Sequence, residues 1–323
     1  MRQLLFILAS TIPIGGFCQQ LFQDASGKTN LFFSRDPYGW ITYNTSDKSG
    51  SVGYTRNRAD GYDHDGDKVK YNYLYGGDIK VNVKDGLGSL VSGGSFRPGI
   101  TLSGNAGVFS DNYPGIGNYM SLYLRPSLSY TQYNYIATSA AVIDKIKKVE
   151  AGLLLNFNLQ FNLDKKTPGI GVGHDPLKRH YLFAGVQSGY THANNYSDLD
   201  DVQLSTIINT AGNATVYKTE TAKSGSYVGY NVIPLNIDVG ITPRIFQHNY
   251  FGFNSYLRTN FLKSKNSTNA GVGIYLADEK KPSNIAGGLA WQFNDVFDVL
   301  KKAGGTFERS SLFFYVGYTI GGK

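Results

Sequence analysis

The chain has 323 residues, 24 Tyr, 19 Phe and 39 Gly against 2 Met and a single Cys, and a formal net charge of +7 at pH 7. One cysteine excludes an internal disulfide or a thiolate metal cluster, and past the N-terminus no segment approaches the roughly 18 apolar residues of a spanning helix. The positive charge favours anionic surroundings, but no basic recognition helix accompanies it, so nucleic acid is not an expected partner.

Residues 1–18 read as a secretory signal peptide. Met1-Arg2 is a short cationic start, Leu4 to Ile14 is mostly apolar, and Gly15-Gly16-Phe17-Cys18 leads into Gln19-Gln20. The run is too short to span a bilayer as a helix. Phe17 is too bulky to precede a lipidated cysteine, so cleavage near Cys18 is the simpler outcome. It removes the cysteine and Arg2, which takes the formal charge from +7 to +6.

From residue 38 onward the chain alternates with period two, the signature of strands whose faces differ. Residues 68–84 set Tyr73, Tyr75, Ile79 and Val81 against Lys70, Asn72, Asp78 and Lys80. Residues 119–131 set Leu122, Leu124 and Leu128 against Ser121, Arg125 and Ser127. In 153–163 every odd position is Leu or Phe, with Asn156, Asn158, Gln160 and Asn162 between them. The pattern predicts strands near 38–45, 50–57, 68–84, 92–108, 119–135, 147–163, 179–192, 225–243, 249–263, 268–277, 284–293 and 309–321. Gln203–Asn209 and Thr215–Thr221 flank Ala211-Gly212-Asn213 and predict a separate hairpin inside the 193–224 connection.

The alternating runs last about 11–17 residues, longer than the roughly 5–6 of globular strands. They match a tilted membrane strand, which needs about 9–11 residues in hydrocarbon. On this pattern residues 38–321 resemble the Gram-negative outer-membrane β-barrel proteins. The resemblance implies an all-β, transmembrane, antiparallel up-and-down barrel of about 12 strands (10–14), its apolar face on lipid and its polar face inside. It divides the chain into a signal peptide (1–18), an N-terminal periplasmic segment (19–37) and the barrel (38–323), and it places the protein in the outer membrane. With a periplasmic C-terminus, parity puts 193–224 and 294–308 on the outer side. Two features depart from the class: the long inner turn at 164–178, and the end Gly321-Gly322-Lys323 where many members end on an aromatic residue.

The inward faces collect Lys68, Lys70, Lys80, Lys84, Arg97, Arg125, Arg244 and Arg258 against only Asp78 and Asp238. An internal echo, Phe96-Arg97-Pro98 and Leu124-Arg125-Pro126, places Arg97 and Arg125 at equivalent points of neighbouring strands. Two readings are open. The cations form a constriction that favours anionic solutes, or they belong to a paired network that fills the barrel. The leading expectation is passive passage of small, anionic solutes. The alternative is a structural or assembly subunit of an outer-membrane secretion or gliding complex, binding other envelope proteins through 193–224 and 19–37.

Enzyme chemistry is disfavoured. Gly189-Tyr190-Thr191-His192-Ala193-Asn194 resembles the Gly-Tyr-x-His-x-Ser segment of outer-membrane phospholipase A, but Asn194 stands where the nucleophilic serine belongs. A weak calcium candidate, Asp63, Asp65 and Asp67, lies in a Gly/Asp-rich run that lacks EF-hand spacing and reads equally well as a turn. No phosphate loop or Ser-centred elbow appears, and no cofactor is expected.

Overall fold

The computed structural model describes residues 19–20, 24, 32–33, 38–45, 48–59, 72–82, 99–110, 119–136, 143–162, 181–195, 199–211, 214–243, 251–261, 266–278, 281–299, 305 and 307–320. All regular structure among them is strand. The first strands are β1 (Gln19–Gln20), β2 (Phe32–Phe33), β3 (Tyr38–Asn44), β4 (Ser49–Ala59), β5 (Asn72–Asn82), β6 (Gly99–Ser110), β7 (Tyr119–Ile136) and β8 (Ile143–Asn162). They are followed by β9 (Tyr181–Asn194), β10 (Asp200–Ala211), β11 (Ala214–Ser224), β12 (Gly229–Thr242), β13 (Phe251–Phe261), β14 (Ser267–Asp278), β15 (Lys281–Phe293) and β16 (Ser310–Ile320).

Twelve of these close a barrel: β3 to β9 and β12 to β16, each antiparallel to its neighbours. β9 pairs directly with β12 (Asn194 opposite Gly229), and β16 returns to β3 (Ile320 opposite Gly39), so the wall has no open edge. All twelve expected wall strands are present. Of the strand expected at 92–108, residues 92–98 lie outside the described residues and β6 is described from Gly99. The expected strand at 225–243 begins at Gly229, because Gly225 takes a positive φ of 133° that ends the preceding hairpin.

The barrel is inside out by the standard of a soluble protein. Leu153, Leu155 and Phe157 of β8 are 50%, 49% and 37% exposed, while Asn156 and Asn158 between them are fully buried. Every wall strand presents such exposed apolar side chains, from Ile41 and Val52 to Leu289 and Phe314. A continuous belt of this kind is far larger than the apolar patches that soluble proteins leave to water. Lipid is its solvent, and a closed barrel satisfies the backbone groups that cross it. The architecture is that of an outer-membrane β-barrel. Trp291, Phe293 and the loop residue Phe307 cluster with ring centroids 5.0–6.0 Å apart, as an interfacial aromatic group would.

One end of the barrel holds Tyr38 and Ile320 and is called the terminal end. The other carries the β10–β11 hairpin, the expected excursion within 193–224. Asn195 ties its base, donating from its backbone to the Val228 carbonyl (3.1 Å) and from its side chain to the Ser226 carbonyl (2.8 Å). β11 also meets the tip of β7 in parallel, Lys223 opposite Tyr135. β10 has no second strand neighbour among the described residues.

Candidate functional site in the barrel lumen

Inward side chains decide whether this barrel is a pore. Each of the twelve wall strands sends in at least one side chain that is no more than 4% exposed, including Trp40, Leu74, Tyr123, Phe183, Tyr275 and Tyr315. The alternation predicts a mainly polar inner face, yet Trp40, Leu74, Phe109 and Phe183 also point inward. A twelve-stranded barrel lies between the small barrels filled by side chains and the wide channels. Here bulky inward side chains fill the terminal half. Glycines let them lie flat: Trp40 covers Gly53, Tyr256 covers Gly271 and Tyr315 covers Gly288, each pair directly opposite on adjacent strands. A Cβ at any of these glycines would collide with the ring.

Hydrogen bonds knit the packing together. The Thr242 and Tyr275 hydroxyls meet at 2.6 Å, and Tyr256 donates to Gln292 Oε1 at 2.9 Å. Across β12, β9 and β8, Asn236 donates to Gln187 Oε1 (2.7 Å) and Gln187 donates to Asn156 Oδ1. The amide face of β8 thus fills the lumen at Asn156 and Asn158.

The described cations anticipated from sequence are paired or flanked by carboxylates. Arg125 on β7 reaches over β6 to Asp78 on β5, with Nη2 2.7 Å from Oδ1 and Nη1 donating to Asn105 Oδ1 at 3.3 Å. Lys80, two residues beyond Asp78, lines the same space. Arg258 donates from Nη2 to Asp238 Oδ1 and from Nε to Asp24 Oδ2, both at 2.8 Å. Its Nη1 also reaches the carbonyls of Ile237 and Leu257, and its guanidinium sits 4.7 Å from the Tyr256 ring centroid. Arg97 and Arg244 lie outside the described residues, as do Asp63, Asp65 and Asp67.

Asp24 is the residue that sequence reasoning missed. It precedes the wall strands, yet its carbonyl accepts from Asn44 Nδ2 (2.9 Å) and its buried carboxylate neutralises Arg258. Asp24 therefore lies inside the lumen. Period-two alternation has no means of showing this. The only hint was the excess of inward cations over inward carboxylates, which called for an acid from elsewhere.

Above the packed half, toward the hairpin end, the lumen opens into a cavity of about 550 Å³. Among its described lining residues Asp24, Asp78 and Glu150 balance Lys80, Arg125 and Arg258. His192 stands at the mouth with Nδ1 3.0 Å from Asn231 Oδ1, and Asn194 donates to Glu150 Oε1 at 2.8 Å. Neither contact brings a serine or threonine hydroxyl to the imidazole. No group of three metal-ligating side chains occurs among the described residues.

No protein-family model and no curated protein matches this sequence. Among solved structures the chain is similar to the β domain of the Bordetella autotransporter Brka, at 11% identity and a TM-score of 0.40, over 88% of this chain and 99% of that one.

Proposed function

We propose that this protein is a closed outer-membrane barrel that serves as a structural subunit of an envelope assembly. The buried inward side chains contributed by all twelve wall strands carry the reading, because side chains packed across a lumen oppose free passage of solute. The β10–β11 ribbon supports the partner role. Its two strands pair over eleven positions, β10 has no further strand neighbour among the described residues, and Ile207 is 58% exposed. A two-stranded ribbon is marginal in water and gains from a partner, and an uncovered strand edge is a ready pairing surface. With the terminal end in the periplasm, ribbon and cavity face the cell exterior.

Two measurements test this. Purified barrel in planar bilayers should give no conductance steps, and cross-linked outer membranes should yield reproducible partners that are lost when 199–225 is replaced by a short turn. Regular steps from the intact protein, with no partners recovered, would overturn the proposal. Passage of small solutes is the second reading. Asp24 favours it, because that lumen acid does not belong to a wall strand.

A further inference from the structure

We infer that the cavity at the hairpin end binds an uncharged, hydroxyl-rich ligand, a short saccharide being the class that fits. This deepens the closed-barrel reading and rests on it, since a packed floor makes the space a pocket instead of a passage.

Three observations point the same way. The first is size: about 550 Å³, within the range of roughly 300–1,000 Å³ typical of small-molecule sites. The second is charge. Among the described residues three carboxylates and three cations line the space, Arg125 is bonded to Asp78, and Arg258 is bonded to Asp24 and Asp238. An ionic ligand would have to displace partners already in place, which costs more than it returns.

The third is how the remaining lining is divided. Strands β4 to β7 contribute Ser51, Thr101, Ser103, Ser127 and Ser129, and β13 and β14 contribute Asn260, Ser267 and Asn269. These are neutral groups that both donate and accept. Strands β8 and β12, on either side of β9, contribute the apolar side chains Leu154, Val232 and Pro234, together with Tyr230. A pyranose has the matching division, hydroxyls around its rim and C–H groups on its face. The apolar side chains would hold the ring while the serine and asparagine walls bond its edge. Inorganic anions lack the C–H face, carboxylates bring a charge that has no free partner among the paired side chains, and acyl chains lack the hydroxyl rim.

The test uses the full-length protein refolded in a zwitterionic, sugar-free detergent, because a maltoside headgroup would itself compete. Saturation-transfer NMR and calorimetry are run with maltotriose and with a panel of uncharged trisaccharides, against inorganic phosphate and citrate. Saturable binding of at least one saccharide is expected, with no competition by either anion. Leu154→Trp fills the cavity from its apolar side and should weaken binding by about tenfold or more. Ser129→Ala, at the polar wall, should weaken it less. Retention of the folded, fast-migrating band on unheated gels shows that both variants still form the barrel. Absence of saccharide binding to the folded wild type, or preferential binding of phosphate or citrate, overturns the inference. Conductance of the same preparation keeps the two readings apart. A silent barrel that binds no saccharide sinks this inference alone, whereas a conducting one sinks the closed-barrel reading.

Discussion

Arg258 links the barrel wall to a segment outside it, so its removal should cost more than the loss of either acid. With Asp24→Asn, Arg258 keeps its bond to Asp238 and its two backbone carbonyls. The loss is about one buried charge-assisted hydrogen bond, roughly 1.5–3 kcal/mol. With Arg258→Met, the buried carboxylates of Asp24 and Asp238, 4% and 0% exposed, lose their shared cation. Breaking a buried pair in this way costs about 3–5 kcal/mol. The double variant should then cost less than the sum of the two, with a coupling of about 1–3 kcal/mol. Denaturant unfolding in micelles, followed by fluorescence, measures all three. Trp40 is buried in the lumen and Trp291 faces outward, so the two tryptophans separate lumen opening from loss of the wall. Asp298→Asn is the control: its partner Arg309 sits at the rim, Asp298 is 58% exposed, and the pair should be worth at most about 1 kcal/mol. If Asp24→Asn destabilises no more than Asp298→Asn, or if the two lumen changes simply add, Asp24 does not bind Arg258 inside the barrel and the argument fails.

Other expectations follow from the same geometry. Gly271→Ala drives a methyl into the Tyr256 ring and should lower stability by about 1–3 kcal/mol, read as a lower melting midpoint by circular dichroism; an unchanged midpoint would mean that the ring does not lie on the glycine. Replacing 199–225 by a short turn should leave the heat-modifiable barrel intact, because Asn194 and Gly229 already pair at the base. In bilayers, Asp24→Asn should raise the frequency of brief openings above the silent wild type if the N-terminal stretch obstructs the lumen, and identical traces would remove it from that role. Purified protein should hydrolyse no lipid ester above background, and His192→Ala should leave that background unchanged; activity lost on this substitution would restore the enzyme reading.

Much of the wall was legible because a strand reports its own surroundings. In 153–163 the odd positions had to find an apolar phase and the even ones a polar phase, and strand length favoured lipid over a sandwich core. That local rule recovered twelve strands and the extra hairpin, with β8 ending at Asn162 against an expected 163. It failed where an inward side chain is chosen by its neighbour on another strand. Trp40, Leu74 and Phe183 are buried on the inner face, and Trp40 lies over Gly53 of the adjacent strand, a match set by sheet register that period two does not report. The arginines were identifiable as inward, but whether they lined an open constriction depended on which acids came within reach.

The sequence by itself determined the class of structure, since a period of two and a strand length that matches hydrocarbon are properties of short stretches. Tertiary structure decided how the inward charges pair. Asp78 reaches Arg125 across an intervening strand, and Asp24 reaches Arg258 over a sequence separation of 234 residues. Barrel closure sets which inward side chains meet, and the width left between them sets whether water or side chains fill the centre. Neither quantity is carried by a single strand, so the amide face of β8 could be assigned to the interior from sequence, but only the closed barrel shows that it fills the lumen.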